Sequence, residues 1–103
     1  SARWHLIQSL AGDQTDGYSG VPGIGVKRAE ALFKKEGYSW KTVVKAFEDK
    51  GFTALTAITN ARLARILTVD DYDFDKQKPI LWTPSSDYQV DDGAGSTDED
   101  TGG

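Results

Sequence analysis

The sequence predicts an all-α fold of four to five short helices. Two observations carry that expectation. Apolar residues recur at spacings of three and four in four separate stretches between Arg3 and Leu67. Glycine or a small polar residue bounds those stretches, as helix ends require. A third observation limits the folded unit. From Ser85 onward the chain is mostly Gly, Ser, Thr and Asp with almost nothing to bury. The helical domain is therefore expected over residues 1–84, with a disordered acidic tail over 85–103.

The first helix is predicted over Arg3–Ala11, where Trp4, Leu6, Ile7 and Leu10 form an apolar stripe and Gly12 ends it. Asp13–Gly20 reads as loop, and Pro22-Gly23 asks for a tight turn. Val26–Glu36 is amphipathic, with Ala29, Leu32 and Phe33 inward and its lysines outward. Ser39 is a candidate N-cap for a third helix, Trp40–Lys50, burying Trp40, Val43, Val44 and Phe47. A fourth runs from Thr53 or Leu55 to Leu67, its apolar set being Leu55, Ile58, Leu63, Ile66 and Leu67. Asp70–Pro84 alternates acids with aromatics. It is expected to pack as an extended strap through Tyr72, Phe74, Ile80, Leu81 and Trp82.

Composition bounds the function. The chain has 103 residues, 38% hydrophobic and 27% charged, enough for one small domain. It has no cysteine, which excludes disulfides and thiolate metal sites and makes an intracellular setting the default. No apolar run approaches the ~20 residues needed to span a membrane. No signal-peptide pattern is present, and there is no Met even at position 1, so the chain reads as a piece of a longer protein. The net charge of −4 hides a division. Residues 85–103 hold six acids and no base, whereas nine basic residues face four acidic ones between Val26 and Arg65. The helical part is locally basic.

Two short patterns carry chemistry. The first is Val21-Pro22-Gly23-Ile24-Gly25, with Val26-Lys27-Arg28 opening a helix directly after it. A Gly-x-Gly turn of this kind presents backbone N–H groups at the positive end of a helix dipole, where a phosphate fits. A Cβ at either glycine would hold the phosphate away. Lys27 and Arg28 are basic residues in a first helical turn, where the dipole disfavours them, and a nearby polyanion accounts for their placement. No β-strand pattern precedes the glycines and no G-K-[ST] follows, which excludes dinucleotide and P-loop readings. Helix, turn and helix read together as a helix–hairpin–helix (SAM-like) unit that grips a nucleic-acid backbone without reading bases. The second pattern is Asp13 and Asp16, three residues apart. Their carboxylates can reach one hard cation such as Mg²⁺. The plainer alternative is that Asp13 caps a turn and Asp16 is solvated.

Joined, Gly12-Asp13-x-x-Asp16 and Pro22-Gly23-Ile24-Gly25-x-Lys27-x-Ala29 resemble the signature of the structure-specific 5′-nucleases. That family includes flap endonucleases, the 5′-nuclease domains of bacterial DNA polymerases and phage 5′→3′ exonucleases. The podophage exonucleases are the nearest likeness, since their loop also runs Thr-Asp-Gly-Tyr. The resemblance implies the C-terminal, DNA-binding part of a metal-dependent 5′→3′ exonuclease acting in the host cytoplasm. It implies that Asp13 and Asp16 help hold Mg²⁺ or Mn²⁺. It implies that Gly23, Ile24, Gly25, Val26, Lys27 and Arg28 meet backbone phosphates of double-stranded DNA, with K⁺ or Na⁺ held by carbonyls of the turn. It further implies, as partner, an N-terminal nuclease domain of the same protein carrying the remaining catalytic groups. Three positions depart from the common pattern: Gly17 stands where many relatives have Asn, Ser19 where many have Pro, and Arg28 where many have Thr. The alternatives are a helix–hairpin–helix module without hydrolytic duty, or a protein-interaction domain with an acidic tail.

The remaining candidates have simpler readings. Lys34, Lys35, Lys41 and Lys45 are either a phosphate track or a solvated face. Trp4, Trp40 and Trp82 read as core more than as base-stacking platforms, and His5 as a packing residue.

Overall fold

A computed structural model describes residues 1–69 and 72–85. Four helices dominate: α1 (Ala2–Ala11), α2 (Val26–Glu36), α3 (Trp40–Asp49) and α4 (Ala54–Val69). Two two-residue strands follow, β1 (Tyr72–Asp73) and β2 (Lys78–Pro79), paired antiparallel. The all-α reading holds. The predicted tail lies outside the described residues beyond Ser85.

The helix ends follow local chemistry. Ser1 caps α1 by accepting from the Trp4 amide, and Ser39 caps α3 by accepting from the Thr42 amide at 3.3 Å. At the start of α4, Thr53 Oγ1 accepts from the Thr56 amide at 3.2 Å. α2 has Gly25 at its N-cap and no side-chain cap at all.

α1 is the central element, packed against α2, α3 and α4. Leu6, Ile7 and Leu10 join Val21, Ala29, Phe33, Val43, Ala46, Phe47 and Ala57 in one core. Ile24, Leu32, Tyr38, Trp40 and Val44 pack on its margin. Burying such side chains contributes about 1.5–3 kcal/mol for each large one.

Four details differ from the sequence reading. Trp4 is 43% exposed, and the buried face of α1 takes in His5 and Ser9 instead. Both polar residues make buried hydrogen bonds: Ser9 Oγ donates to the His5 carbonyl at 2.9 Å, and His5 Nε2 lies 2.7 Å from the Ala61 carbonyl oxygen. In α4 the buried face is Ala57, Asn60, Ala61 and Ala64, while Leu55 is 72% exposed. Alanines at that spacing let α1 approach α4 closely, so the small residues face inward and the leucines outward. The strap forms the β1–β2 ribbon, and Trp82 alone of its predicted anchors is shown buried. Phe74, Ile80 and Leu81 are exposed. Trp82 sits edge-on to His5 with ring centroids 4.6 Å apart, and Arg62 Nε donates to its carbonyl at 3.0 Å. Finally, α4 continues to Val69, two residues beyond the expected end.

Candidate nucleic-acid interface and acidic loop

The loop between α1 and α2 is built on one residue. Asp13 forms an isolated antiparallel bridge with Tyr18, its amide donating to the Tyr18 carbonyl at 2.8 Å. The Asp13 carbonyl accepts from the amides of Asp16, Gly17 and Tyr18 at 3.1, 2.9 and 3.2 Å. The Asp16 amide also donates to Asp13 Oδ1 at 3.2 Å. Asp13 is therefore half-buried and partly engaged in its own turn, as an Asx residue commonly is. Asp16 is exposed, and its carboxylate makes no hydrogen bond among the described residues. The structure brings these two acids into one tight turn. Among the described residues, no third Asp, Glu or His joins them in a group fit for a metal.

Tyr18 anchors this turn. Its ring is buried and its hydroxyl donates to Gln8 Oε1 on α1 at 2.9 Å. Burial pushes the phenol above its ordinary value, and the negative charges of Asp13 and then Asp16 push it further the same way. The tyrosine thus reports that both acids act on one small volume.

The base of the loop is pinned by glycine against glycine. A Cβ at Gly20 would run into the Leu10 carbonyl and the Gly12 nitrogen, and one at Gly12 into the Ser19 carbonyl. Both glycines also hold positive φ, at 71° and 62°. Val21 N donates to the Leu10 carbonyl and Gly20 N to Asn60 Oδ1, each at 2.8 Å. Asn60 is buried on α4, and its Nδ2 donates back to the Thr56 carbonyl at 3.0 Å.

The glycine turn starts directly from that base. Ile24 N donates to the Val21 carbonyl at 3.1 Å, closing a four-residue turn with Pro22 second and Gly23 third. Gly23 has φ 84°, the left-handed value that the third position of a type II turn demands. Ile24 is half-buried against the core. Gly25 is extended, and its carbonyl takes the first helical bond, from Ala29 N at 2.9 Å. Gly23, Gly25, Val26, Lys27 and Arg28 are all exposed. The result is a surface turn feeding an uncapped helix start.

The basic residues near it behave differently from one another. Lys27 makes no ion pair or hydrogen bond among the described residues. Arg28 folds back, Nη1 donating to the Gly23 carbonyl at 2.9 Å. Lys45 pairs with Asp49 at 2.9 Å on the surface of α3, which raises its pKa and occupies it. Lys34, Lys35 and Lys41 are exposed. Trp40 and Trp82 lie 5.4 Å apart as packing partners, leaving neither ring as an open platform.

Sequence reasoning located both patterns but missed their supports. Tyr18, Gln8, Gly12, Gly20 and Asn60 hold the loop and were not singled out for it. Two glycines bracketing an acidic loop were a signal that two chain passes meet there. Nothing marked Asn60, whose partner is 40 residues distant.

No protein-family model matches this sequence, and no solved structure matches it. Two curated proteins do. The exodeoxyribonuclease of Enterobacteria phage T3 is 30% identical over 113 aligned residues, covering 81% of this chain and 37% of the relative. The exonuclease of Escherichia phage T7 is 26% identical over 111, covering 79% and 37%. This chain is a homologue of phage exonucleases. It spans little more than a third of the length of the relatives it matches. Among its described residues, no helix is long and apolar enough to cross a membrane.

Proposed function

We propose that this chain is the C-terminal, DNA-binding and partly metal-binding portion of a phage 5′→3′ exonuclease that hydrolyses phosphodiester bonds in host cytoplasm. The observation that carries the reading is the uncapped glycine turn at the start of α2, rigidly joined to the Asp13–Asp16 loop, in a homologue of phage exonucleases. The turn and α2 act as the second half of a helix–hairpin–helix. Amides around Gly23, Gly25, Val26 and Arg28, with the Lys27 ammonium, hold backbone phosphates of duplex DNA, while the Ile24 amide closes the turn on the Val21 carbonyl. No base-reading element is needed, and none is proposed.

The acidic loop suits Mg²⁺ or Mn²⁺. Asp16 offers an exposed carboxylate, and Asp13 keeps one oxygen outside its turn. Such ions take one or two carboxylates and fill the rest of their shell from water and phosphate. When bound, the ion would supply positive charge beside the phosphodiester and polarise water. Two carboxylates make only part of such a centre, so the rest belongs to an N-terminal nuclease domain of the same protein. This chain alone is expected to bind duplex weakly and to cleave little or nothing.

The test combines two titrations of the 103-residue chain. Duplex affinity should fall with salt, and Lys27→Ala should reduce the log–log slope by about one phosphate's worth, ~0.9. Added Mn²⁺ should broaden the NMR signals of Asp13 and Asp16 before any others. Duplex binding without any Mn²⁺ effect on that loop would favour the non-catalytic helix–hairpin–helix module. Robust cleavage by the isolated chain would contradict the division of labour proposed.

A further inference from the structure

Three carbonyls of the turn already accept hydrogen bonds, which disfavours there the mobile K⁺ or Na⁺ that the family resemblance implies. The Gly23 carbonyl already accepts from Arg28 Nη1 at 2.9 Å. The Val21 carbonyl accepts from Ile24 N and the Gly25 carbonyl from Ala29 N. A guanidinium seated on the Gly23 oxygen also repels a second cation at the same atom.

We infer that Arg28 is the turn's own cation, a tethered guanidinium that takes the place of a dissociable monovalent ion in holding the turn for phosphate. Three features on the page support this. Arg28 lies in the first turn of α2, where the helix dipole disfavours a positive charge, and a carbonyl oxygen offsets that cost. Arg28 forms no ion pair among the described residues, so no described carboxylate competes with the Gly23 carbonyl for it. The bond reaches back five residues, from the first turn of α2 to the carbonyl of the third residue of the glycine turn. Arginine is always protonated, so the charge is permanent. It is also local, whereas a free ion must be bound from solution at each encounter. Arg28 is on this account a positioning residue: it fixes the turn and neutralises a carbonyl beside the incoming phosphate.

The inference rests on the phosphate-binding reading above, and the experiment separates the two. Duplex affinity of the chain is measured in KCl, NaCl and tetramethylammonium chloride at equal ionic strength. The wild type should bind equally, within about twofold, in all three. Arg28→Ala removes both the charge and the donor and frees the Gly23 carbonyl. It should bind at least fivefold more tightly in KCl than in tetramethylammonium chloride. A wild type with that same preference for K⁺ overturns the inference, and so does an Arg28→Ala variant indifferent to the cation. The amide signals of Gly23, Ile24 and Gly25 are then followed without DNA in the same salts. Parallel, non-saturating shifts in the wild type are expected, whereas a saturable K⁺-specific shift overturns the inference whatever the duplex does. Absence of duplex binding in every salt removes the phosphate reading itself. The amide spectrum of Arg28→Ala checks its folding, and Arg28→Lys, which keeps a permanent charge, should be as indifferent to the cation as the wild type; a K⁺ preference in Arg28→Lys equal to that of Arg28→Ala overturns the inference.

Discussion

The starts of α2 and α3 are the same kind of place, finished in opposite ways. At α3, Ser39 accepts from the Thr42 amide, and the Thr42 hydroxyl donates to the Gly37 carbonyl at 2.8 Å. That end is closed by its own side chains. At α2, Gly25 brings no side chain, and the nearby side-chain contact, Arg28 to Gly23, satisfies a carbonyl and leaves the first amides of the helix uncapped. The first arrangement serves the fold alone. The second leaves hydrogen-bond donors facing solvent on a turn that is otherwise rigid. The difference teaches that an uncapped helix start here is a feature of the loop design, since the chain caps its other helices with Ser1, Ser39 and Thr53.

The largest effect should come from breaking the support beneath the open end. Gly20→Ala places a methyl into the Leu10 carbonyl at a positive φ. It should cost at least about 3 kcal/mol, read as a drop in the urea midpoint, and the turn at Val21–Ile24 should be lost with it. A stable, folded Gly20→Ala variant would mean that the loop base is not packed as described.

Next in size is an exchange between the two ends. Ser39→Ala should lower stability by about 1 kcal/mol and leave duplex affinity unchanged. Gly25→Ser transplants the α3 arrangement onto α2. It should stabilise the fold by a few tenths of a kcal/mol, yet weaken duplex binding about tenfold, the loss of one charge-assisted hydrogen bond. Calorimetry and duplex titration on the same samples decide it. If Gly25→Ser binds as the wild type does, the open amides are not the contact.

The smallest effect concerns the loop that both depend on. The Tyr18 phenol is raised in the folded state, so the folded protein holds that proton more tightly than the unfolded chain. Its contribution is intact below the ordinary value of 10.0 and is lost as pH climbs through the raised value. Tyr18→Phe should flatten that alkaline limb of the stability profile. It should also cost about 0.5–1.5 kcal/mol at neutral pH through the lost bond to Gln8.

Much of this was legible without coordinates. Ser39 followed by an apolar run announced α3, and Gly12 and Gly37 announced where α1 and α2 stop. Pro22-Gly23 announced the turn, because few residue pairs suit its second and third positions. The two acids in one loop were equally plain. The face of α4 was not. Its leucines carried the apolar signal, yet its alanines went inward, because closeness to α1 rewards small side chains and periodicity cannot register distance. The strap was misread for a related reason: aromatic content says that a segment can bury area, and not which ring finds a hole.

The sequence by itself determined the helices, their ends, the glycine turn and the acidic pair, since each depends on neighbours within a few residues. The tertiary structure alone decided that Asn60 holds Gly20, that Tyr18 ties the acids to α1, and that Trp82 closes over His5. Those contacts join residues far apart in the chain, and the chain's order carries no record of which distant surfaces will meet once the core has packed.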